Sequence, residues 1–200
     1  MGLNSHIAVH PVTAHYLQCC TSSQTTTLEV GCGPGQHRRA VRGRYVGLDV
    51  TDETYGPGTP RLPDVLGQAR ALPFPHSQFD VVLFSNVFYY FEEAGLVLQE
   101  AHRVLKPSGR LLIFDYTQRV LRRLRRDYAL TGQQAMAHVR RAAEWPSLVR
   151  AAGFRDVRVD LKSLSLKWRL LRHALSAQAC QRIIDRLEAG IVIQGVRADP

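Results

Sequence analysis

The stretch Leu28-Glu29-Val30-Gly31-Cys32-Gly33-Pro34-Gly35 alternates glycine with other residues directly after a β-branched, apolar run. Glycine tolerates positive φ and lets a ligand approach the backbone with no Cβ in the way. A short helix expected over 36–42 would present unpaired N–H groups to an anion such as a carboxylate. The glycines fall at positions one, three and five, whereas the dinucleotide fingerprint wants the third one residue later. No Lys-Ser or Lys-Thr pair follows, which argues against a nucleotide-hydrolysing phosphate loop. Asp49 closes the next strand, eighteen residues beyond Gly31, where a carboxylate can accept both hydroxyls of a ribose. Turn and acid together call for an adenosine-type ligand without a pyrophosphate. The bland alternative is a tight turn beside a capping carboxylate.

These residues need a scaffold of strands and helices. Apolar, β-branched runs predict strands over 25–30, 45–50, 64–66, 79–85, 110–115, 156–161 and 191–196. Helical spacing of apolar residues predicts helices over 12–20, 93–105, 118–130, 133–144 and 167–189, and Pro146 and Gly153 bound another. Lys106-Pro107-Ser108-Gly109 stops the helix before it. Residues 51–63 are rich in Gly, Pro and Thr, hence a loop. Alternating strands and helices give an α/β sandwich with a mostly parallel sheet. Ligands of such sheets bind beyond the carboxyl ends of the strands. That places 31–35, 49–50, 67–69, 85–90 and 115–116 around one cleft.

The whole chain bounds these readings. Its 200 residues and 22.5 kDa make one domain, large enough to fold without disulfides or a structural metal. No apolar run reaches membrane-spanning length and no secretory leader is visible. Cys19, Cys20, Cys32 and Cys180 have no metal-knuckle spacing and read as free thiols, so the expected setting is cytoplasmic, with no metal and no membrane. The net charge of +9 is lopsided: residues 1–116 carry nine basic and ten acidic side chains, residues 117–200 seventeen and seven.

The chain resembles the class I S-adenosylmethionine-dependent methyltransferases of the small-molecule type. The resemblance rests on LEVGCGPG at 28–35, YVGLDVTDE at 45–53, GQARALPFP at 67–75, FDVVLFSNVFYYF at 79–91 and EAHRVLKPSGRLLIFD at 100–115, with WPSLVRAAGFRDVRV at 145–159 fitting the late helix and strand. It implies a Rossmann-like three-layer sandwich whose seven-stranded, mostly parallel sheet ends in an antiparallel last strand. It also implies a cofactor, S-adenosyl-L-methionine. Glu29, Gly31, Cys32 and Gly33 would surround its methionine part, Asp49 would hold the ribose hydroxyls, and Val50 would lie against the adenine. Ser85 and Asn86 would lie beneath it near the reacting methyl. Gln68, next to Ala69 in the same cofactor-binding set, departs from the family, which usually has Asp there to accept from the adenine amino group. The Gln carbonyl can accept that bond without charge, or the residue only makes a turn.

Methyl transfer from a sulfonium asks for positioning and exclusion of water more than for side-chain chemistry. A base is needed only where the acceptor must lose a proton. Candidates on the acceptor side are Tyr89 and Tyr90 after the fourth strand, Asp115 at the end of the fifth, His15 on the N-terminal helix and His138 on the inserted helices; each also has an ordinary packing, capping or surface reading. Ser-Asn-Val-Phe at 85–88 differs from the Asn/Asp-Pro-Pro-Tyr/Phe of the exocyclic-amine methyltransferases of DNA. Arg119, Arg122, Arg123, Arg125 and Arg126 leave three readings open: a solvated face, a lid that attracts an anionic acceptor, or a surface that tracks RNA or DNA phosphates.

The reading is one methyltransferase domain. Residues 1–24 form an N-terminal cap helix, 25–116 the cofactor half and 117–144 an inserted helical lid. Residues 145–200 form a C-terminal half, with helices over 167–189, that completes the sheet. It transfers a methyl to a small organic acceptor, an anionic one being favoured. An RNA- or DNA-directed enzyme and a non-catalytic cofactor-binding scaffold are the alternatives.

Overall fold

The computed structural model describes residues 9, 11–50, 63–118, 120, 138, 140–161, 176, 179 and 190–198. Its strands are β1 (Thr26–Val30), β2 (Arg44–Asp49), β3 (Val65–Leu66), β4 (Phe79–Ser85), β5 (Leu105–Tyr116), β6 (Phe154–Leu161) and β7 (Gly190–Arg197). They form one seven-stranded sheet in the order β3-β2-β1-β4-β5-β7-β6. β3, β2, β1, β4 and β5 pair in parallel, and β7 runs antiparallel between β5 and β6. The expected antiparallel last strand is therefore present. The chain steps outward from β1 to β2 in one direction and from β4 to β5 in the other. The crevice of such a sheet opens where that order reverses, at the carboxyl ends of β1 and β4.

The alternating burial of the central strands makes three layers. Val81 and Leu83 of β4 and Leu112 and Phe114 of β5 pack with Leu17 of α1 (Pro11–Cys20) on one face. Val82, Phe84, Leu111 and Ile113 face the other way, against Val97, Leu98, Ala101 and Val104 of α2 (Ala94–Val104) and Trp145 and Val149 of α3 (Trp145–Ala151). A strand covered on both faces has no polar side, which is why β4 reads as a continuous apolar run. α2 also fixes the loop that follows β3. Arg103 pairs with Glu100 and donates to the carbonyls of Phe74 and Leu72, while Glu100 Oε2 accepts the Leu72 N–H at 2.7 Å. Arg103 holds the Glu100 carboxyl below its usual range, with the Leu72 N–H assisting.

Three local expectations change. The segment after the glycine turn is a single 3₁₀ turn, Gln36–Arg39, not a longer helix over 36–42. The strand expected over 110–115 already begins at Leu105. Between the pairs Phe79–Leu105 and Val81–Arg110 the register shifts, so residues 106–109 bulge out of the strand while Lys106 pairs with Asp80 at 2.8 Å. Residues 140–144, expected as helix, form irregular chain and a turn ahead of α3. His102 of α2 is half-buried with its ring edge-on to Phe154. Most of the expected helices over 118–130 and 167–189, residues 133–137 and 139 of the one over 133–144, residues 51–62 of the expected loop, and the arginines at 119, 122, 123, 125 and 126 lie outside the described residues. So do residues 1–8 and Cys180. Among the described residues no helix is long and apolar enough to cross a membrane.

Candidate functional site

The backbone of the glycine turn is tied to β2. The N–H groups of Gly31 and Cys32 both donate to Leu48 O, at 2.8 and 3.1 Å. Gly31 has φ +70°, and a Cβ there would stand 2.5 Å from Val87 Cγ2. Only glycine meets both demands. The Gly33 N–H donates to Asp49 Oδ2 at 2.8 Å, and the Val50 N–H donates to Asp49 Oδ1 at 2.7 Å. The turn and the acid thus touch across one cavity of about 440 Å³. Its wall includes Glu29, the turn residues 31–34, Gln36, Asp49, Val50, Ala69, Ser85, Asn86, Val87, Tyr90 and Phe91.

The floor is a buried polar chain. Glu29 is 1% exposed and His37 3%. His37 Nδ1 lies 2.7 Å from Glu29 Oε1, the Tyr45 hydroxyl donates to Glu29 Oε2, and His37 Nε2 lies 3.5 Å from Ser85 Oγ. Gly47 makes room for this. It sits opposite Glu29 in the β1–β2 register, and a Cβ there would approach Cys32 Sγ at 2.9 Å and Tyr45 Cε1 at 3.1 Å. Burial, and then the Glu29 carboxylate, push the Tyr45 phenol far up, so it stays a donor. Burial likewise pushes the Cys32 thiol up to about 12, aided by the carboxylates of Glu29, Asp49 and Asp64. Two amide oxygens on the wall, Gln36 Oε1 and Asn86 Oδ1, are buried with no hydrogen-bond partner among the described residues. Asn86 holds a left-handed φ of 55°, its N–H bonded to Phe114 O at 2.8 Å.

Residues 28–113 match the sequence profile of a methyltransferase domain family. Those residues carry the pattern of the class I S-adenosylmethionine-dependent methyltransferases. The chain is similar to 2-methyl-6-phytyl-1,4-hydroquinone methyltransferase of Synechocystis sp., 36% identical over 106 residues that make up 48% of this chain and 33% of that protein. It is also similar to malonyl-[acyl-carrier protein] O-methyltransferase of Methylococcus capsulatus, 26% identical over 68% of this chain and 54% of that protein. The methyltransferase domain here thus spans about a third to a half of the length of these two relatives. An S-adenosylmethionine-dependent methyltransferase from Mesorhizobium loti shares the fold, with a TM-score of 0.65 and 16% identity over 92% of this chain and 96% of that one.

The cavity gathers nine of the residues expected around the site from sequence: Glu29, Gly31, Cys32, Gly33, Asp49, Val50, Ala69, Ser85 and Asn86. Gln68 is exposed and off the wall, its Oε1 accepting from Arg70 Nε at 3.0 Å. Of the acceptor-side candidates only Tyr90 reaches the cavity, at its mouth and 52% exposed. Tyr89 is buried behind it, the two rings 4.7 Å apart. Asp115 is buried at the end of β5, with Oδ1 accepting the Tyr116 N–H at 2.7 Å. His15 is exposed on α1, 3.8 Å from Cys19 Sγ. His138 donates its backbone N–H to Tyr89 O at 3.0 Å.

Sequence reasoning missed His37, Tyr45 and Arg140. The first two partner Glu29 from positions that only strand register and a 3₁₀ turn reveal. Arg140 donates Nη1 to Phe88 O and His138 O and Nη2 to Phe91 O. It thereby ties down the 3₁₀ turn Phe88–Tyr90, which carries Tyr90 to the cavity mouth. Burial pulls its guanidinium pKa down, while Asp115 and Glu144 oppose that. The Arg140-Arg141 pair ahead of Trp145 was the available signal. Among the described residues no cluster of His, Cys, Asp and Glu could hold a metal ion.

Proposed function

We propose that this chain transfers a methyl group from S-adenosyl-L-methionine to a small, flat, hydroxyl-bearing organic acceptor. The observation that carries the reading is the shared cavity in which Asp49, held by the Gly33 N–H, stands across from the buried Glu29 floor. The residues fit the cofactor by their chemistry. Asp49 keeps lone pairs for two ribose hydroxyls. Val50, 69% exposed on the wall, offers an apolar face for the adenine. The Gln36 and Asn86 amide oxygens await donors, which an ammonium supplies. Bound there, the cofactor supplies a methyl carried on a positive sulfur.

The chain's own part is to bind, orient and keep water out. Gly31 lets the wall close against Val87 without a side chain intervening. Ser85 ends β4 and Asn86 follows it, where an acceptor atom would arrive. Tyr90 and Phe91 at the mouth suit a ring stacked edge-on or offset. The hydroquinone named for the Synechocystis relative is an acceptor of this kind. Acceptor choice belongs to the insert 117–144 with 167–189, whose arginines favour an anionic group on the acceptor.

The test is a screen of purified protein with methyl-labelled cofactor against hydroquinones, phenols, aromatic acids, RNA and DNA. Label in a hydroquinone or phenolic product supports the reading. Label in nucleic acid alone, or cofactor binding with turnover on no acceptor, replaces it with one of the alternatives.

A further inference from the structure

The buried chain Tyr45–Glu29–His37–Ser85 has a fixed sense of donation. A carboxylate only accepts, so Tyr45 OH and His37 Nδ1 both donate to Glu29. With a single ring proton, on Nδ1, His37 would present a lone pair at Nε2 to the Ser85 hydroxyl, 3.5 Å away, and Ser85 is on the cavity wall. This is the order of groups that lets a serine hydroxyl pass a proton to an imidazole oriented by a carboxylate. The distance is of the loose kind seen in catalytic hydrogen bonds without a bound ligand.

We infer that Ser85, His37 and Glu29 form a proton relay that takes the proton an O–H or N–H acceptor gives up on methylation. The inference rests on the cofactor reading above. The acceptor's proton passes to Ser85 Oγ as the Ser85 hydroxyl proton passes to His37 Nε2. The electron pair of the broken O–H or N–H bond stays on the acceptor atom and forms its bond to the methyl carbon. The pair of the broken carbon–sulfur bond stays on sulfur.

Charge explains why the proton stops there. Before transfer the site holds the Glu29 carboxylate, a neutral imidazole and a positive sulfonium. After transfer it holds the carboxylate, an imidazolium and a neutral thioether. The positive charge moves from ligand to His37 and the buried site keeps the same total, which avoids the cost of an uncompensated buried charge. Among the described residues, Glu29 on β1 bonds His37 directly and Tyr45 on β2 reaches it through Glu29, while Arg38 and Arg39 follow it on the same 3₁₀ turn. The Arg38 guanidinium is spent on the Tyr45 ring, 4.4 Å from its centroid, and on Asp64. Ser85 of β4 faces the remaining side.

The relay predicts that His37 binds a proton more readily beside S-adenosylhomocysteine than beside S-adenosylmethionine, because the two ligands differ only in the charged methyl-sulfonium. Calorimetric titration of the full chain near neutral pH, with each ligand and in two buffers of different ionisation enthalpy, reads this directly. The homocysteine form should take up more protons on binding, by up to one. The affinity ratio of methionine to homocysteine form should rise by up to about tenfold per pH unit. His37→Gln should abolish the difference. Equal proton uptake by the two ligands, or a difference that survives in His37→Gln, overturns the relay while leaving the cofactor reading intact. Binding of neither ligand overturns both. Should His37→Gln not fold, nitrogen-15 spectra of the wild-type histidines decide: His37 should be a neutral Nδ1–H imidazole with the methionine form and an imidazolium with the homocysteine form. One protonation state in both complexes overturns the relay.

Discussion

The backbone N–H of Gly33 donates to the Asp49 carboxylate at 2.8 Å, joining the glycine turn after β1 to the acid that ends β2. The bond sets the direction of the carboxylate before any ligand arrives, since its two oxygens already accept from Gly33 and Val50. An acceptor held in place loses little freedom on binding, which is how a small site gains affinity.

Asp49→Ala should weaken S-adenosylmethionine binding by about 1–3 kcal/mol, the loss of charge-assisted contacts to the ribose. Calorimetry measures it. Unchanged affinity contradicts the placement of the ribose.

Gly31→Ala should destabilise the turn by about 1–3 kcal/mol, through a left-handed φ and a Cβ pressed into Val87. Adding Val87→Ala relieves the clash and leaves the backbone strain, so recovery should be partial. Thermal melts of the single and double variants check this. Full recovery would assign the whole cost to packing.

Cys32 should resist iodoacetamide at pH 8 while exposed Cys19 reacts, because the thiolate is the reactive form and burial with neighbouring carboxylates pushes the Cys32 thiol up to about 12. The sign of the linked stability follows. The folded chain keeps the proton more tightly than the unfolded chain, whose thiol titrates near 9.0. The contribution is whole below pH 9 and is lost as pH rises from there toward 12. Peptide mapping after alkylation, native and denatured, reads the first effect, and rapid native labelling of Cys32 would refute it.

Arg140→Met should destabilise the chain by about 1–3 kcal/mol, because the Phe88, His138 and Phe91 carbonyls lose their donor in a half-buried setting. Arg140→Lys should recover part of this, since an ammonium lacks the planar fork. The 3₁₀ turn Phe88–Tyr90 should become the first site of proteolysis in Arg140→Met. Wild-type stability and cleavage pattern in that variant would refute the role.

The parts legible in the sequence are those written in neighbouring residues. Phe79–Ser85 announces a two-face-buried strand because every position except Asp80 is apolar or small, and the glycine turn announces itself because Gly31 has no substitute there. The floor of the site was not legible. Glu29 meets Tyr45 and His37 only because β1 and β2 pair in one register and Gly47 leaves space across the pair. Nothing local in Gln36-His37-Arg38-Arg39 distinguishes an inward imidazole from a basic surface turn. Asp115 and Tyr89 look like site residues because they follow strand ends, yet packing turns both away from the cavity wall.

A crystal of the chain grown with S-adenosylhomocysteine tests the central claim most directly. The account predicts density filling the cavity between residues 31–33 and Asp49, with both ribose hydroxyls within hydrogen-bond distance of that carboxylate. A saturated crystal whose cavity stays empty, or a ligand bound away from Asp49, would contradict it.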